Sequence, residues 1–182
     1  MSITVKDVTT SRREWIERMH LSDDIAASAK NAEVLVVPSN YVDRPLAFPV
    51  STMDFYTLIK KQLGANIEIC VNDEDFEEIE LNSHTLRLPT IKVKEYVLPF
   101  VIGYMVNFVY DRTAAPSQPD VNADVNVEVT VPEYQKPTEM DFTIEVEDTT
   151  GKSKAFHYKG SAADFKDASE EIIRMWDEEK GK

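Results

Sequence analysis

The sequence predicts a mixed α/β (or α+β) protein: a mixed sheet with flanking helices and a buried apolar helix, followed by a small β-β-β-α unit. Three observations carry that prediction. The run at 96–110, from Tyr96 to Tyr110, is the most apolar stretch of an otherwise acidic chain and needs cover on most of its circumference. Short β-branched or alternating runs precede it and supply a sheet. Alternating strands and one amphipathic helix follow it, beyond a stretch of small, polar and proline residues.

Composition narrows the class of protein. At 182 residues, with 42% hydrophobic, the chain is long enough for one ordinary domain, or a medium domain with a small one, around a real core. The 33 acidic and 20 basic residues give a net charge of -13, which repels phosphate backbones and anionic lipid and argues against general nucleic-acid binding. The run at 96–110 is shorter than the roughly 17–25 residues a membrane helix needs, and Pro99, Gly103 and Asn107 interrupt it, so no membrane partner is expected. One cysteine, Cys70, excludes an intramolecular disulfide. The opening residues Met1 to Lys6 lack the basic-then-apolar layout of a secretion signal, so the expected compartment is a reducing cytoplasm.

In chain order, Ile3 to Val5 is a short strand. Ser11-Arg12-Arg13-Glu14 has the form of a capping box and starts a helix bearing Trp15, Ile16 and Met19. Ser22-Asp23-Asp24 offers a second cap before Ile25, Ala26 and Ala29, so this region is one interrupted helix or two short ones. Glu33 to Val37 is β-branched and stopped by Pro38, the pattern of a strand buried on both faces. Residues 38–50 read as a long connection carrying three prolines. Ser51 then precedes a helix with Phe55, Ile59 and Leu63 on one face, closed by Gly64.

Asn66 to Val71 and Glu78 to Leu81 alternate and read as a hairpin about the acidic turn 72–77; Thr85 to Leu88 and Ile91 to Val93 are further extended pieces. The boundary falls after Arg112: a domain over 1–112, a linker over 113–122 and a small domain over 123–182. In the last, Val125 to Val131 alternates as a strand, and Phe142, Ile144 and Val146 repeat the pattern. Asp148 to Lys152 makes a hairpin loop, and Phe156 and Tyr158 mark the next strand. Ser161 caps a helix whose stripe is Phe165, Ala168, Ile172 and Trp176.

Chemical motifs are sparse. The five glycines form no phosphate-cradling loop, and His20, His84 and His157 stand far apart and outside any ligand frame, so no cofactor and no metal centre is expected. The carboxylates at 73–80 lack the frame of a calcium loop and read as a solvated turn. Cys70 alternates with Ile69 and Val71 and reads as a packed thiol.

Two functional expectations follow. The first is a non-enzymatic, cytosolic interaction or accessory protein acting through its small C-terminal domain on a protein partner or on itself. The alternative is an enzyme or small-ligand sensor, with a cleft where the polar connection after the buried strand meets the cluster before residue 85. Its candidate ligand-binding residues are Ser39, Asn40, Asp43, Arg44, Asn82 and His84.

Overall fold

A computed structural model describes residues 2–41, 44–64, 66–80, 84–113 and 138–180. Its architecture is the mixed α/β one that the sequence predicts. The main sheet runs β1 (Ser2–Asp7), β10 (Ser153–Ser161), β9 (Glu139–Glu147), β8 (Thr90–Lys94), β2 (Val34–Val37) and β5 (Ile67–Ile69), with β7 (Thr85–Arg87) beside β9. The β2–β5, β8–β9 and β7–β9 pairs are parallel; β1–β10, β9–β10 and β2–β8 are antiparallel.

Helices cover both faces. Val34 and Val36 of β2 point into the main core with Phe55 and Ile59 of α3 (Thr52–Leu63), Val101 and Met105 of α4 (Leu98–Thr113), and Phe165 and Ile172 of α5 (Phe165–Lys180). Leu35 and Val37 point the other way, onto Trp15 of α1 (Arg12–Arg18), Ala29 of α2 (Asp23–Asn31) and Cys70. That two-sided packing is why β2 is an uninterrupted apolar run. Along β9, Met140, Phe142, Ile144 and Val146 are buried under the α4–α5 layer, while the alternate residues form a half-exposed polar face.

Local chemistry sets the element ends. Ser11 and Glu14 make the reciprocal capping box: the Glu14 N–H donates to Ser11 Oγ at 3.2 Å and the Ser11 N–H to Glu14 Oε2 at 2.6 Å. Helix α3 starts after Ser51, but Ser51 sits at φ 82 and makes no side-chain cap. The Glu78 carboxylate takes that role from another strand, accepting the Met53 N–H at 2.9 Å.

Two readings change. The connection at 38–50 is a second, small sheet of β3 (Ser39–Tyr41), β4 (Arg44–Pro49) and β6 (Glu78–Ile79). It looked like a loop because Pro45 and Pro49 lower strand propensity; β4 is nevertheless the middle strand, and it tolerates Pro49 because the N–H groups on either side, of Phe48 and Val50, make the bonds to Glu77 and Ile79 at 3.0 Å each. The expected hairpin of 66–71 with 78–81 does not form: β5 joins β2 in the main sheet, and β6 pairs in parallel with β4. The expected strand at 125–131 and the linker, apart from Thr113 at the end of α4, lie outside the described residues. The chain before and after them shares one sheet and one core.

Candidate functional site

Of the six residues expected to form a cleft, Asp43 and Asn82 lie outside the described residues. Ser39 Oγ is 3.2 Å from Thr90 Oγ1 on β8. Asn40 turns back into its own hairpin, its Oδ1 accepting the Leu46 N–H at 3.4 Å, and so supports Leu46 at φ 60. Arg44 pairs with Glu77 at 3.5 Å on the surface. His84 is exposed, and its carbonyl accepts the Thr138 N–H at 3.2 Å.

A residue outside that set links the two segments. Tyr41, next to Asn40, lies within the fields of Arg87 and Asp141, which are register partners on β7 and β9. Burial raises the Tyr41 phenol above its ordinary pKa, against a hydrogen bond with Ser39 that lowers it. On the same polar face, His157 Nε2 is 2.8 Å from Asp141 Oδ1, and in register His157 is flanked by Thr4 and Thr143. A histidine–carboxylate pair can pass a proton; here it ties neighbouring strands. Lys154 is in register with Val146 and therefore lies on the helix-covered face, where it meets Asp7 at 2.7 Å and Glu179 at 3.7 Å.

Other polar clusters are absorbed by the fold. A cavity of about 460 Å3 near the start of α3 is lined by Ser51, Thr85, Arg87 and Arg112. Arg112 there donates to Asp54 at 2.7 Å and stacks over Phe108 at 4.2 Å. The acidic turn is held to the α1–α2 corner, since Asn72 Oδ1 accepts the Ser22 N–H at 2.9 Å. Among the described residues no three histidines, cysteines or carboxylates gather as a metal site, and no helix is long and apolar enough to cross a membrane. Cys70 is wholly buried, and burial pushes its thiol up to about 12, far from a nucleophile's range.

What the fold leaves unused is one stripe of α4. The helix lies between α3 and α5 on the sheet, which buries Leu98, Val101, Ile102, Met105, Phe108 and Val109. Tyr96, Phe100, Gly103, Asn107 and Tyr110 recur every three or four residues on the remaining side. Tyr96, in the turn before α4, is 54% exposed and hydrogen-bonds to Glu33, while on the helix itself Phe100 is 60% and Tyr110 70% exposed, so two aromatic residues of α4 stand in solvent on one side. Beside them a groove of about 520 Å3 runs between α4 and α5, lined by Phe100, Gly103, Tyr104 and Val106 on one wall and Lys166 and Glu170 on the other. Gly103 opens the floor: a Cβ there would meet nothing within 4 Å.

This surface was not among the expected site residues, although the sequence holds a signal for it. Pro99, Gly103 and Asn107, which interrupt the apolar run, fall four apart and share one helical face. No family model matches the chain, and neither a curated protein nor a solved structure matches it.

Proposed function

We propose that this chain is a non-enzymatic interaction or accessory protein of the cytosol, docking a protein partner through its C-terminal part on the surface that α5 forms with α4. The observation that carries the reading is the exposed aromatic stripe. Tyr96 hydrogen-bonds to Glu33, but Phe100 and Tyr110 stand in solvent, and exposed aromatics beside a groove are the composition of a docking surface more than of a solvated helix. Covering two such rings removes on the order of 200 Å2 of surface, roughly 5 kcal/mol before the costs of association.

The reading is tested by affinity isolation with the wild-type chain and with Phe100→Asp, at matched concentration and after matched melting curves. It requires a partner that the wild-type chain retains and Phe100→Asp loses. A partner held equally by both chains, or by neither, overturns it.

A second reading, a small-ligand sensor or enzyme, draws support from one observation: Tyr41 and Arg87 bring the segments at 39–41 and 85–87 together near Asp141. It requires a small molecule whose binding shifts the melting curve of the wild-type chain and not that of Tyr41→Phe or Arg87→Met.

A further inference from the structure

We propose that the cleft between α1 and α2 is a binding site for a small organic monoanion, a carboxylate with a short apolar body. The cleft has a volume of about 570 Å3 and shares no lining residue with the α4–α5 groove, so the inference does not rest on the docking reading. Its frame is fixed from several sides. The Ser11–Glu14 capping box sets the start of α1, and the Lys92 ammonium donates to the Thr10 carbonyl just before it. The Arg12 guanidinium then ties three elements together. It donates from Nε to Glu147 Oε2 on β9 at 3.3 Å, and from Nη1 to the Ala29 carbonyl, one of the last four of α2, at 2.9 Å.

Charge and shape select the ligand. In a chain of net charge -13, the charged groups lining this cleft are Arg12, Arg13 and Lys30 against Glu17 and Glu147, an excess of cations. Both carboxylates are already matched, Glu17 by Arg13 at 2.7 Å and Glu147 by Arg12. Lys30 is left without an ion-pair partner among the described residues. The Arg12 side chain is only 9% exposed, and its Nη2 is buried without an acceptor. An unmet charged donor is unfavourable, and the bond to Glu147 is long and single. Arg12 therefore gains by turning Nη2 to an oxygen brought into the cleft. One surplus charge and one unmet donor match a carboxylate, whereas a phosphate dianion would bring more charge than the cleft can balance. Ile16, Ala26 and Ala27 supply an apolar wall, and the two alanines leave room for a short hydrocarbon body.

The test titrates the full chain with hexanoate, with its neutral isostere hexanamide and with inorganic phosphate, reading affinity by calorimetry and location by backbone amide NMR shifts. Hexanoate should bind at least about tenfold more tightly than hexanamide or phosphate at low salt, with the largest shifts in α1 and α2. Lys30→Met, which removes the surplus charge at an exposed position, should weaken hexanoate by about fivefold or more. Ala27→Leu, which fills the cleft from an exposed position, should do the same, and both variants should keep the melting midpoint of the wild-type chain. Arg12→Lys keeps the charge and loses the planar fork, so it too should weaken hexanoate.

No binding up to about 20 mM hexanoate overturns the proposal. So does equal binding of hexanoate and hexanamide, which would make the cleft merely apolar, and equal binding of hexanoate and phosphate, which would make it a general anion site. Hexanoate binding that survives both Lys30→Met and Ala27→Leu lies elsewhere on the chain and overturns it as well. None of these outcomes bears on Phe100→Asp, so the docking reading stands or falls separately.

Discussion

Lys92 and Glu145 are register partners on the parallel strands β8 and β9, and their charged ends meet in an ion pair with side chains only 4% and 16% exposed. The same ammonium donates to the Thr10 carbonyl at 2.7 Å, fixing the segment that leads into α1. One buried cation thus joins the N-terminal helices, the strand that precedes α4, and the C-terminal hairpin. Lys92→Met should cost about 3–5 kcal/mol, because it leaves the Glu145 carboxylate without its counter-charge. The double variant Lys92→Met/Glu145→Leu should recover much of that loss. Denaturant titration of the four chains in the cycle measures it, and a double-variant loss equal to the sum of the two single losses would show that the two charges are not coupled.

Cys70 makes stability fall at alkaline pH. Its folded thiol is pushed up to about 12 by burial, against the lowering pull of Arg12 and Lys92, whereas the ordinary value is 9.0. Between those values the unfolded chain releases a proton that the folded chain keeps, so the contribution is full below about pH 9 and is lost as pH rises toward 12, at up to about 1.4 kcal/mol per pH unit. Tyrosines titrate nearby, so the measurement is the difference in stability between wild type and Cys70→Ala. That difference should shrink from about pH 8 to about pH 11; a constant difference would contradict the assignment.

Neighbouring residues of α4 should respond in opposite ways to the same charge. Val101 is fully buried and Phe100 is 60% exposed. Val101→Asp places an unpaired carboxylate in the core, a cost of several kcal/mol that approaches the whole stability of a domain. Phe100→Asp should change stability by less than about 1 kcal/mol. Soluble yield and thermal melts distinguish them, and equal melting curves would mean that the buried side of the helix is misplaced.

Gly160 is required by a ring. A Cβ there would lie 2.9 Å from the Tyr158 hydroxyl oxygen, which donates to the Ser161 carbonyl at 2.7 Å. Tyr158 is wholly buried and packs against Phe142 and Phe165, at centroid distances of 5.9 Å for each, so it has little room to yield. Gly160→Ala should cost about 1–3 kcal/mol, and Gly160→Ala/Tyr158→Phe should cost less than the sum of its two single changes. Strict additivity in denaturant titration would refute the clash.

Wherever physics is local, the sequence by itself determined the outcome. The capping box at Ser11 and Glu14, the two-sided burial of Val34 to Val37, the α3 face of Phe55 and Ile59, the 139–161 hairpin and the α5 stripe all rest on interactions within a few residues or on a periodicity that one buried face imposes. Partner choice is not local. Whether 66–69 pairs with 78–79 or with Val34 to Val36 depends on which apolar edge is open when the sheet assembles, and alternation is the same in either case. Ser51 and Glu78 show the same limit at a helix start, where a carboxylate from another strand, and not the adjacent serine, accepts a first-turn N–H. For the candidate site the sequence supplied the apolar helix and the interruptions at Pro99, Gly103 and Asn107. Only the packing of α3 and α5 on either side decided that this face, with Phe100 and Tyr110, would be the one left in water, because a helix apolar all round does not state which of its sides the sheet will take.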